Sequence, residues 1–273
     1  MEAKARQLEA LLMDMKGVLV AFSGGVDSSV LLAAAIRSLG EFVVAATGIS
    51  ASFPAHDLGW ARTISSKLGA RWITVESGEL DDQYYKGNPP NRCYFCKKSL
   101  FSRLLKRAYE EGLPFVIEGS NTDDLNDIRP GMAAVRELGI RSPFLELGIG
   151  KEMIRGLAKH YGLPNWDKPS SPCLASRIPY GELITPERLQ RIDRSEAVLR
   201  GMGFRQLRVR DHGTLARVEI PPEDMGRLLE NGLREAIVAA CKDAGYTYVT
   251  LDLQGYRTGA MHEAIPNAAG SEQ

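Results

Sequence analysis

Residues 18–32, VLVAFSGGVDSSVLL, constrain the fold of this chain more than any other stretch. An apolar run rich in β-branched residues leads into Ser-Gly-Gly-Val-Asp-Ser-Ser, and a second apolar run with helical periodicity follows. This order predicts a strand, a tight loop and a helix. Two adjacent glycines let the backbone turn without a Cβ penalty, and the serines stand where the first turn of a helix needs hydrogen-bond partners.

The loop within this stretch is suited to bind phosphate. It offers an anion backbone N–H groups, hydroxyl groups and the positive end of a helix dipole. It is not a Walker loop, because no Gly-Lys-Ser/Thr follows at the required spacing. The candidate phosphate-binding residues are Ser23, Gly24, Gly25, Ser28 and Ser29.

Length and charge narrow the class of protein. The 273 residues are enough for two domains, which we expect at 1–181 and 182–265, with residues 266–273 as a disordered tail. Lys plus Arg equals Asp plus Glu at 34 each, which favours a small-molecule substrate over long nucleic acid. No apolar run approaches the roughly 18 residues of a membrane helix, and the N-terminus does not resemble a signal peptide, so we expect a cytoplasmic protein.

Strand and helix patterns alternate through the first half of the chain, which predicts an α/β fold with a Rossmann-like parallel sheet. After the first strand, further strands are expected at 42–47, 71–75 and 115–117, with a short one at 141–145. Ligands bind at the carboxyl ends of the strands in such sheets. Ser23, Ser50 and Asn121 each follow one of these strands, so we expect them to share one crevice.

The second half of the chain begins with an irregular stretch and continues as a smaller domain. Residues 162–181, GLPNWDKPSSPCLASRIPYG, contain four prolines and have no regular periodicity. Irregular stretches of this length within a compact domain are often functional. Beyond them the order is helix, strand, strand, helix, strand, which predicts a small α+β domain with an antiparallel sheet face.

Arginines are concentrated at 188–210, where seven of them stand against Asp193 and Glu196. Arg208 and Arg210 alternate on one face of a predicted strand, so the pair could clamp a phosphate between two guanidinium groups. The alternative for the helical arginines is a solvated helix face.

Cys93 and Cys96 form a CxxC pair at the start of a predicted helix, and Cys173 lies in the proline-rich stretch. Three thiolates can bind three irons of a [4Fe-4S] cluster and leave the fourth iron open to an exogenous ligand. The alternatives are a dithiol redox pair and half of a zinc site. Cys241 lies within an apolar helix and is interpreted as a buried structural thiol.

Three aspartates could bind a Mg²⁺ ion that bridges phosphates, because hard cations prefer oxygen ligands. They are Asp27, Asp123 and Asp124. The alternative for each of them is the capping of a helix.

The SGGVDSS loop resembles the PP-loop signature of the ATP pyrophosphatases, which split ATP between the α and β phosphates and adenylate an oxygen of the substrate. NAD, GMP and argininosuccinate synthetases and tRNA thiolation enzymes share that signature. The segments NPPNRCYFCKKSLF, EGSNTDDLNDIRPG and DKPSSPCLASRIPYG are similar to the LarE family, whose members are ATP-dependent sulfurtransferases that help build the nickel-pincer nucleotide cofactor of lactate racemase. The resemblance extends from Leu8 to Glu263.

The resemblance implies a substrate, pyridinium-3,5-biscarboxylic acid mononucleotide, whose carboxylates are adenylated and then converted to thiocarboxylates. Cys173 stands at the position that handles sulfur in this family. Members with that cysteine alone resemble sacrificial reagents, in which the cysteine loses its sulfur and becomes dehydroalanine. Because Cys93 and Cys96 are also present, the chain resembles the three-cysteine branch, in which the open iron of a [4Fe-4S] cluster carries the sulfide that is donated.

The resemblance also implies roles for other groups. ATP and Mg²⁺ are the expected cofactors besides the cluster, with Asp27 and Glu196 as metal ligands. Arg208 and Arg210 are expected to bind phosphate, and Ser176 and Arg177 to line the catalytic site with Cys173. The candidate nucleotide-binding residues are those of the loop, Ser23, Gly24, Gly25, Asp27, Ser28 and Ser29, together with Ser50, Gly119, Asn121 and Asp124.

The expected partners are the small-molecule substrate and a sulfide donor or desulfurase, without a membrane or nucleic acid, and we expect a homo-oligomer. The alternatives are a PP-loop enzyme of tRNA thiolation that uses a similar cluster, and sacrificial sulfur transfer from Cys173.

Overall fold

The computed structural model describes residues 1–126, 130–229, 232–257 and 260–261, so the predicted disordered tail lies outside the described residues. The chain divides into two compact units, Met1–Tyr85 with Asn91–Ser171, and Lys86–Pro90 with Pro172–Gln273. Residues 172–181, which we expected in the first domain, group with the second unit in this division. The expected boundary after residue 181 stays a prediction.

Helices and strands alternate through residue 171, in the order predicted for an α/β fold. The strands are β1 (Val18–Ala21), β2 (Val43–Ile49), β3 (Arg71–Glu76) and β4 (Phe115–Ile117). The helices are α1 (Glu2–Met13), α2 (Val26–Leu39), α3 (Ala55–Lys67), α4 (Gln83–Lys86), α5 (Arg92–Glu110), α6 (Gly131–Glu137), α7 (Pro143–Glu146) and α8 (Lys151–His160).

The four strands form one sheet in the order β3-β2-β1-β4, with every neighbouring pair parallel. Val18 of β1 pairs with Val43 of β2 on one side and with Phe115 of β4 on the other. The predicted α/β fold with a parallel sheet is therefore confirmed. Because all strands run the same way, the loops that follow them emerge at one edge of the sheet.

Strand β1 is buried on both faces, as expected for the centre of a parallel sheet. Val18 and Val20 pack into a core with α1, α2 and α8, whereas Leu19 packs into a second core with α5. This alternation follows the two-residue period of a strand. The sheet is thus covered by helices on both faces.

The strand that we predicted at 141–145 is wrong for most of its length. Arg141 forms a single parallel bridge with Ile117, and α7 begins at Pro143. Proline has no N–H group for a sheet ladder, but its fixed φ suits the first turn of a helix. The sheet pairing therefore ends where the proline stands.

The second unit contains a smaller sheet packed against helices, which confirms the predicted α+β character. Its helices are α9 (Pro186–Gly201) and α10 (Leu233–Asp243), and its strands are β5 (Arg208–His212), β6 (Leu215–Glu219) and β7 (Tyr248–Leu251). The pair β5 and β6 is antiparallel as predicted, but β7 joins β6 in parallel, so the sheet is mixed. The chain passes through α10 between β6 and β7, and such a crossover returns it in the same direction.

Each helix in the described part of the chain is either too short or too polar to span a lipid bilayer.

A buried carboxylate, Asp211 of β5, joins the sheet of the second unit to α9. Its oxygens accept hydrogen bonds from Arg188 (2.7 and 2.9 Å), from Arg191 (2.5 and 2.7 Å) and from the Tyr246 hydroxyl (3.0 Å). Burial opposes ionisation, but the hydrogen bonds from Arg191 and Arg188 outweigh it and lower the pKa of Asp211. These two helical arginines are therefore partners of a buried group, and the solvated-face alternative is wrong for them.

We expect Asp211→Asn to lower the free energy of unfolding of the second unit by about 3 kcal/mol, because the arginines lose a buried counter-charge. All tryptophans lie in the first unit, so hydrogen exchange of peptides from β5 and β6 is the suitable measurement. Arg234→Gln, at an exposed ion pair of the same unit, is the control and should cost less than about 0.5 kcal/mol. Equal effects of the two substitutions would contradict the role of Asp211.

Candidate functional site

Residues 23–29 form a tight loop between β1 and α2, which we call the phosphate loop. Gly24 has φ of +70°, and a Cβ atom there would lie 2.5 Å from the Ala61 backbone nitrogen of α3. Only glycine fits this combination of backbone angle and close approach. Gly25 then begins α2 without a side-chain cap, so the N–H groups of the first helical turn point out of the helix end.

The serines of the phosphate loop hold its shape. The Ser28 and Ser29 hydroxyls donate to the Gly25 carbonyl at 3.2 and 2.7 Å, and the Ser23 hydroxyl accepts from the Gly25 N–H at 3.3 Å. Ser28 and Ser29 are buried, while Ser23 is exposed. The loop is thus stabilised by its own side chains with its N–H groups at a helix N-terminus, which is the geometry of an anion site.

Asp27 is bound by a lysine that the sequence patterns did not single out. Both Asp27 carboxylate oxygens accept from Lys151 Nζ, at 2.6 and 2.5 Å. Burial raises the pKa of Asp27 although Lys151 opposes the rise, and the nearby Asp124 carboxylate adds to it. Lys151 opens α8, far from the phosphate loop in sequence, so no local spacing could have revealed the pair.

The loop after β4 packs against the phosphate loop. A Cβ atom on Gly119 would lie 3.2 Å from the Ser28 backbone nitrogen and from the Asp27 Cβ. Asp124 Oδ2 accepts from the Asn121 N–H at 3.0 Å, and Asp123 Oδ2 accepts from the Lys151 N–H at 2.6 Å. The structure therefore brings this loop beside Asp27, and it uses both acidic side chains as backbone caps.

Ser50 follows β2 at the same edge of the sheet. Its hydrogen-bond partner there, Glu79, is a residue that the sequence patterns did not indicate. The Glu79 carboxylate, 1% exposed, accepts hydrogen bonds from the hydroxyls of Ser50, Ser52 and Ser77. Glu79 lies just beyond β3, so the loops after two neighbouring strands are joined.

Two residues of the irregular stretch 162–181 form hydrogen bonds to the backbone of the phosphate loop. Asn165 Nδ2 and Lys168 Nζ each donate to the Gly24 carbonyl at 3.2 Å. Lys168 also forms a buried ion pair with Asp57 at 2.8 Å. Because a carbonyl oxygen repels an anion, these donors orient the Gly24 peptide so that the loop presents N–H groups to a ligand.

In the second unit, Cys173 is half-buried and precedes a short 3₁₀ helix, Leu174–Arg177. The side chain of Arg177 is 0% exposed and forms a two-pronged ion pair with Glu196, which is also 0% exposed. Burial opposes ionisation of Glu196, but the Arg177 cation outweighs it and lowers the pKa to about 2. Glu196 also accepts from Arg200 and from the Val209 N–H, so its oxygens are saturated.

The predicted phosphate residues Arg208 and Arg210 differ in their surroundings. Arg210 pairs with Glu219 at 2.8 and 2.9 Å and donates to the Ser176 carbonyl at 2.7 Å. Arg208 stacks on Tyr256 with 5.0 Å between the guanidinium carbon and the ring centre. Burial, together with the Arg177 cation, lowers the pKa of Arg208 to about 10.

A cavity of about 660 Å³ opens beside Arg210 in the second unit. Its wall includes four basic side chains and the hydroxyl-bearing residues Ser176 and Tyr180, and the acidic Asp252 is also present. The basic residues of the wall are Arg177, Arg210, Arg217 and Arg257, with His212 beside them. Glu196 neutralises Arg177, and Arg210 and Arg217 share Glu219, so the excess of positive charge is smaller than the number of arginines but still suits an anionic ligand.

The cysteines differ in exposure. Cys93 is exposed and Cys96 is half-buried, both near the N-terminal end of α5, whereas Cys241 is buried as predicted. Within the described residues, no three side chains of His, Cys, Asp or Glu come together in a group that could hold a metal ion.

No protein-family model matches the sequence. The chain is 41% identical to an uncharacterized protein of Synechocystis sp., over 97% of this chain and 99% of that protein. It is 36% identical to the pyridinium-3,5-bisthiocarboxylic acid mononucleotide synthase of Lactiplantibacillus plantarum, over 97% of this chain and 96% of the synthase. It is 28% identical to a tRNA-specific 2-thiouridylase of Desulforamulus reducens, over 57% of this chain and 53% of that enzyme.

We expect Gly24→Ala to weaken binding of ATP by more than about 10-fold, because the added Cβ displaces the loop and misaligns its N–H groups. Equilibrium dialysis with Mg²⁺-ATP measures the effect. Gly139→Ala is the matched control, since Gly139 has φ of +65° but nothing within 4 Å of the position of a Cβ. Nucleotide binding by Gly24→Ala at the level of the control would contradict the assignment of the phosphate loop.

The low pKa of Glu196 predicts acid sensitivity of the second unit. Glutamate in an unfolded chain has a pKa of about 4.3, so the stabilisation is complete above that value and is lost as the pH falls towards about 2. The loss attributable to this one group is roughly 3 kcal/mol. The measurement is hydrogen exchange of β5 at several pH values in this range, corrected for intrinsic exchange rates. As the pH falls, the protection of β5 should decrease more steeply in the wild type than in Glu196→Gln.

Proposed function

Since the chain belongs to the LarE-like family of PP-loop ATP pyrophosphatases, we propose that it is an ATP-dependent sulfurtransferase acting on pyridinium-3,5-biscarboxylic acid mononucleotide. The reaction would convert the carboxylates of this substrate to thiocarboxylates. The observation that carries the proposal is the 36% identity to the bisthiocarboxylic acid mononucleotide synthase across 97% of this chain and 96% of the synthase. The match to the thiouridylase covers only 57% of this chain, and the neutral net charge also disfavours a tRNA substrate.

The first step is the activation of a carboxylate, which is a poor electrophile because its leaving group would be oxide. Attack of a carboxylate oxygen on the α-phosphorus of ATP forms an acyl adenylate and releases pyrophosphate. The N–H groups of the phosphate loop and the dipole of α2 stabilise the charge that develops on pyrophosphate. Lys151, which pairs with Asp27 of this loop, would add a further cation near the phosphates.

Asp27 is the residue that we assign to Mg²⁺. Its side chain is 27% exposed, and the single Lys151 ammonium that bonds both oxygens leaves carboxylate lone pairs that suit a hard metal ion. Bound there, Mg²⁺ would neutralise charge on the phosphates. Glu196 offers no comparable site, because arginines and a backbone N–H already occupy its oxygens.

The cavity of the second unit is our candidate for the phosphate of the mononucleotide. Arg210 keeps part of its guanidinium in the cavity wall while Glu219 fixes its orientation. Arg217 and His212 lie in the same wall. Burial, with the Arg217 cation beside it, lowers the pKa of His212, so the imidazole is available as a neutral hydrogen-bonding group.

The cysteines are assigned to sulfur delivery. Cys93 and Cys96 stand on one face of α5 at its N-terminus, where the helix dipole favours thiolates, and soft thiolates are the preferred ligands of iron–sulfur clusters. Their exposure suits a group bound from outside the helix, so the donor set fits two cluster ligands. With Cys173 as third ligand they would hold a [4Fe-4S] cluster, which when bound supplies a sulfide nucleophile.

We also propose that the protein is a cytoplasmic homo-oligomer and that a sulfide donor or a desulfurase supplies the sulfur. The alternative functions are sacrificial sulfur transfer from Cys173 and thiolation of tRNA.

Anaerobic reconstitution of the wild type and of Cys93→Ala, Cys96→Ala and Cys173→Ala tests this function. Each protein is analysed for iron and sulfide and then assayed for turnovers with ATP, sulfide and the mononucleotide. We expect cluster content and multiple turnovers in the wild type, and loss of both in the three variants. Cys241→Ala is the control, because its buried thiol should affect neither measurement.

Two results would contradict parts of the proposal. A single turnover accompanied by conversion of Cys173 to dehydroalanine, with loss of the elements of hydrogen sulfide, would establish the sacrificial route. Failure of the wild type to release pyrophosphate with the mononucleotide would exclude the substrate.

A further inference from the structure

We propose that Arg177 is a positioning residue that fixes the backbone of Cys173 for sulfur transfer and does not contact the substrate. The role in sulfur transfer rests on the proposed function. The arrangement from which it is inferred lies entirely within the second unit.

The first observation is the complete burial of the Arg177 side chain, which is 0% exposed. Arg177 belongs to the wall of the basic cavity, but its guanidinium has no accessible surface there. Its charge faces the buried Glu196 carboxylate through Nε at 2.8 Å and Nη2 at 2.9 Å. A cation that is both enclosed and neutralised in this way offers little to an anionic substrate.

The second observation is that the remaining guanidinium nitrogen of Arg177, Nη1, bonds to the segment that contains Cys173. Nη1 donates to the carbonyls of Pro172 at 2.7 Å and Cys173 at 3.1 Å, and to the Ser176 hydroxyl at 2.9 Å. The Ser176 N–H also donates to the Cys173 carbonyl at 3.0 Å. The peptide groups on both sides of the Cys173 Cα are therefore tied to one planar guanidinium.

The third observation is that Glu196 is itself anchored to the sheet of the second unit. Its Oε1 accepts from the Val209 N–H of β5 at 3.1 Å, and its Oε2 accepts from Arg200 at 2.6 Å. A continuous chain of hydrogen bonds thus runs from β5 through Glu196 and Arg177 to the carbonyl of Cys173. The half-buried thiol is held on a rigid support although it lies in an irregular, proline-rich segment.

This support matters because the transferred sulfur must reach one acyl carbon, whether it is the Cys173 sulfur itself or a sulfide on a cluster that Cys173 would ligate. An error of about 1 Å in the position of a reacting group can cost about 100-fold in rate. Lysine cannot replace arginine in this role, because its ammonium is a point charge and cannot span Glu196 and two carbonyls at once.

The test compares Arg177→Lys and Glu196→Gln with the wild type and with Asp211→Asn. Asp211→Asn is the matched control, because it removes a buried charge from the same unit but has no hydrogen bond to residues 172–177 in the described structure. Glu196→Gln keeps the size of the side chain, so one folded variant remains if the lysine variant does not fold. Two rates are measured in the first turnover of each protein, with enzyme in excess of the mononucleotide: pyrophosphate release and thiocarboxylate formation.

We expect thiocarboxylate formation to fall by about 100-fold in both test variants while pyrophosphate release stays within about 3-fold of the wild type. A direct substrate contact by Arg177 would instead raise the KM for the mononucleotide in both measurements. Unchanged thiocarboxylate formation in folded Arg177→Lys, or an equal loss in Asp211→Asn, would overturn the proposal.

A second readout does not depend on the proposed reaction. In a Cys93→Ser, Cys96→Ser background, alkylation of Cys173 by iodoacetamide reports how firmly its backbone is held, since Cys241 is buried. We expect Arg177→Lys and Glu196→Gln to speed this alkylation by at least about 10-fold, because local opening exposes the thiol. Asp211→Asn weakens the same unit without removing a hydrogen bond to residues 172–177, so we expect it to speed alkylation by less than about 3-fold. Equal alkylation rates in all proteins would exclude the positioning role, whereas absence of pyrophosphate release by the wild type would exclude only the proposed function.

Discussion

The close approach of Gly24 to α3 is the constraint on which the first unit depends. A left-handed backbone angle and a backbone nitrogen of Ala61 within reach of any Cβ leave room for glycine alone. This turn sets the direction in which α2 leaves the sheet, and so places the N-terminus of α2 within the phosphate loop. Asn165 and Lys168 act on the same peptide from the other side, by holding its carbonyl away from the ligand position. The phosphate binding that we propose for this loop would therefore depend on tertiary packing as much as on the motif.

The second unit depends on a different principle, the pairing of buried arginines with buried carboxylates. Glu196, Asp211 and Glu219 each receive two or more hydrogen bonds from arginine guanidinium groups. In such a pair each charge is largely neutralised by the other, so removal of one residue leaves the charge of the other buried and unpaired. Within 188–210, Arg188, Arg191 and Arg200 thus serve to order the unit. Arg210, together with Arg217 outside this stretch, lines the cavity.

The fold could be predicted to the extent that local patterns determine it. Hydrophobic periodicity located β1, α2 and the parallel order of strands, because those signals lie within short windows of sequence. The pairs Asp27 with Lys151, Ser50 with Glu79 and Gly24 with Lys168 could not be found in this way, since each joins residues distant along the chain. The parallel pairing of β7 was missed for the same reason, because strand pairing is decided by the partner strand.

Exposure and hydrogen-bond saturation separate two ways in which a motif residue can act. Ser176 and Arg210 line the cavity, so they are candidates for direct contact with a ligand. Arg177 and Glu196 have no exposed side-chain surface, and their polar atoms are occupied by each other and by the backbone of Cys173 and Val209. A metal ion at Glu196 would have to displace Arg177 or Arg200 from a buried site and leave that cation unpaired, which is energetically unfavourable. The same geometry that argues against metal binding there makes the pair an effective rigid link between β5 and the sulfur-bearing residue.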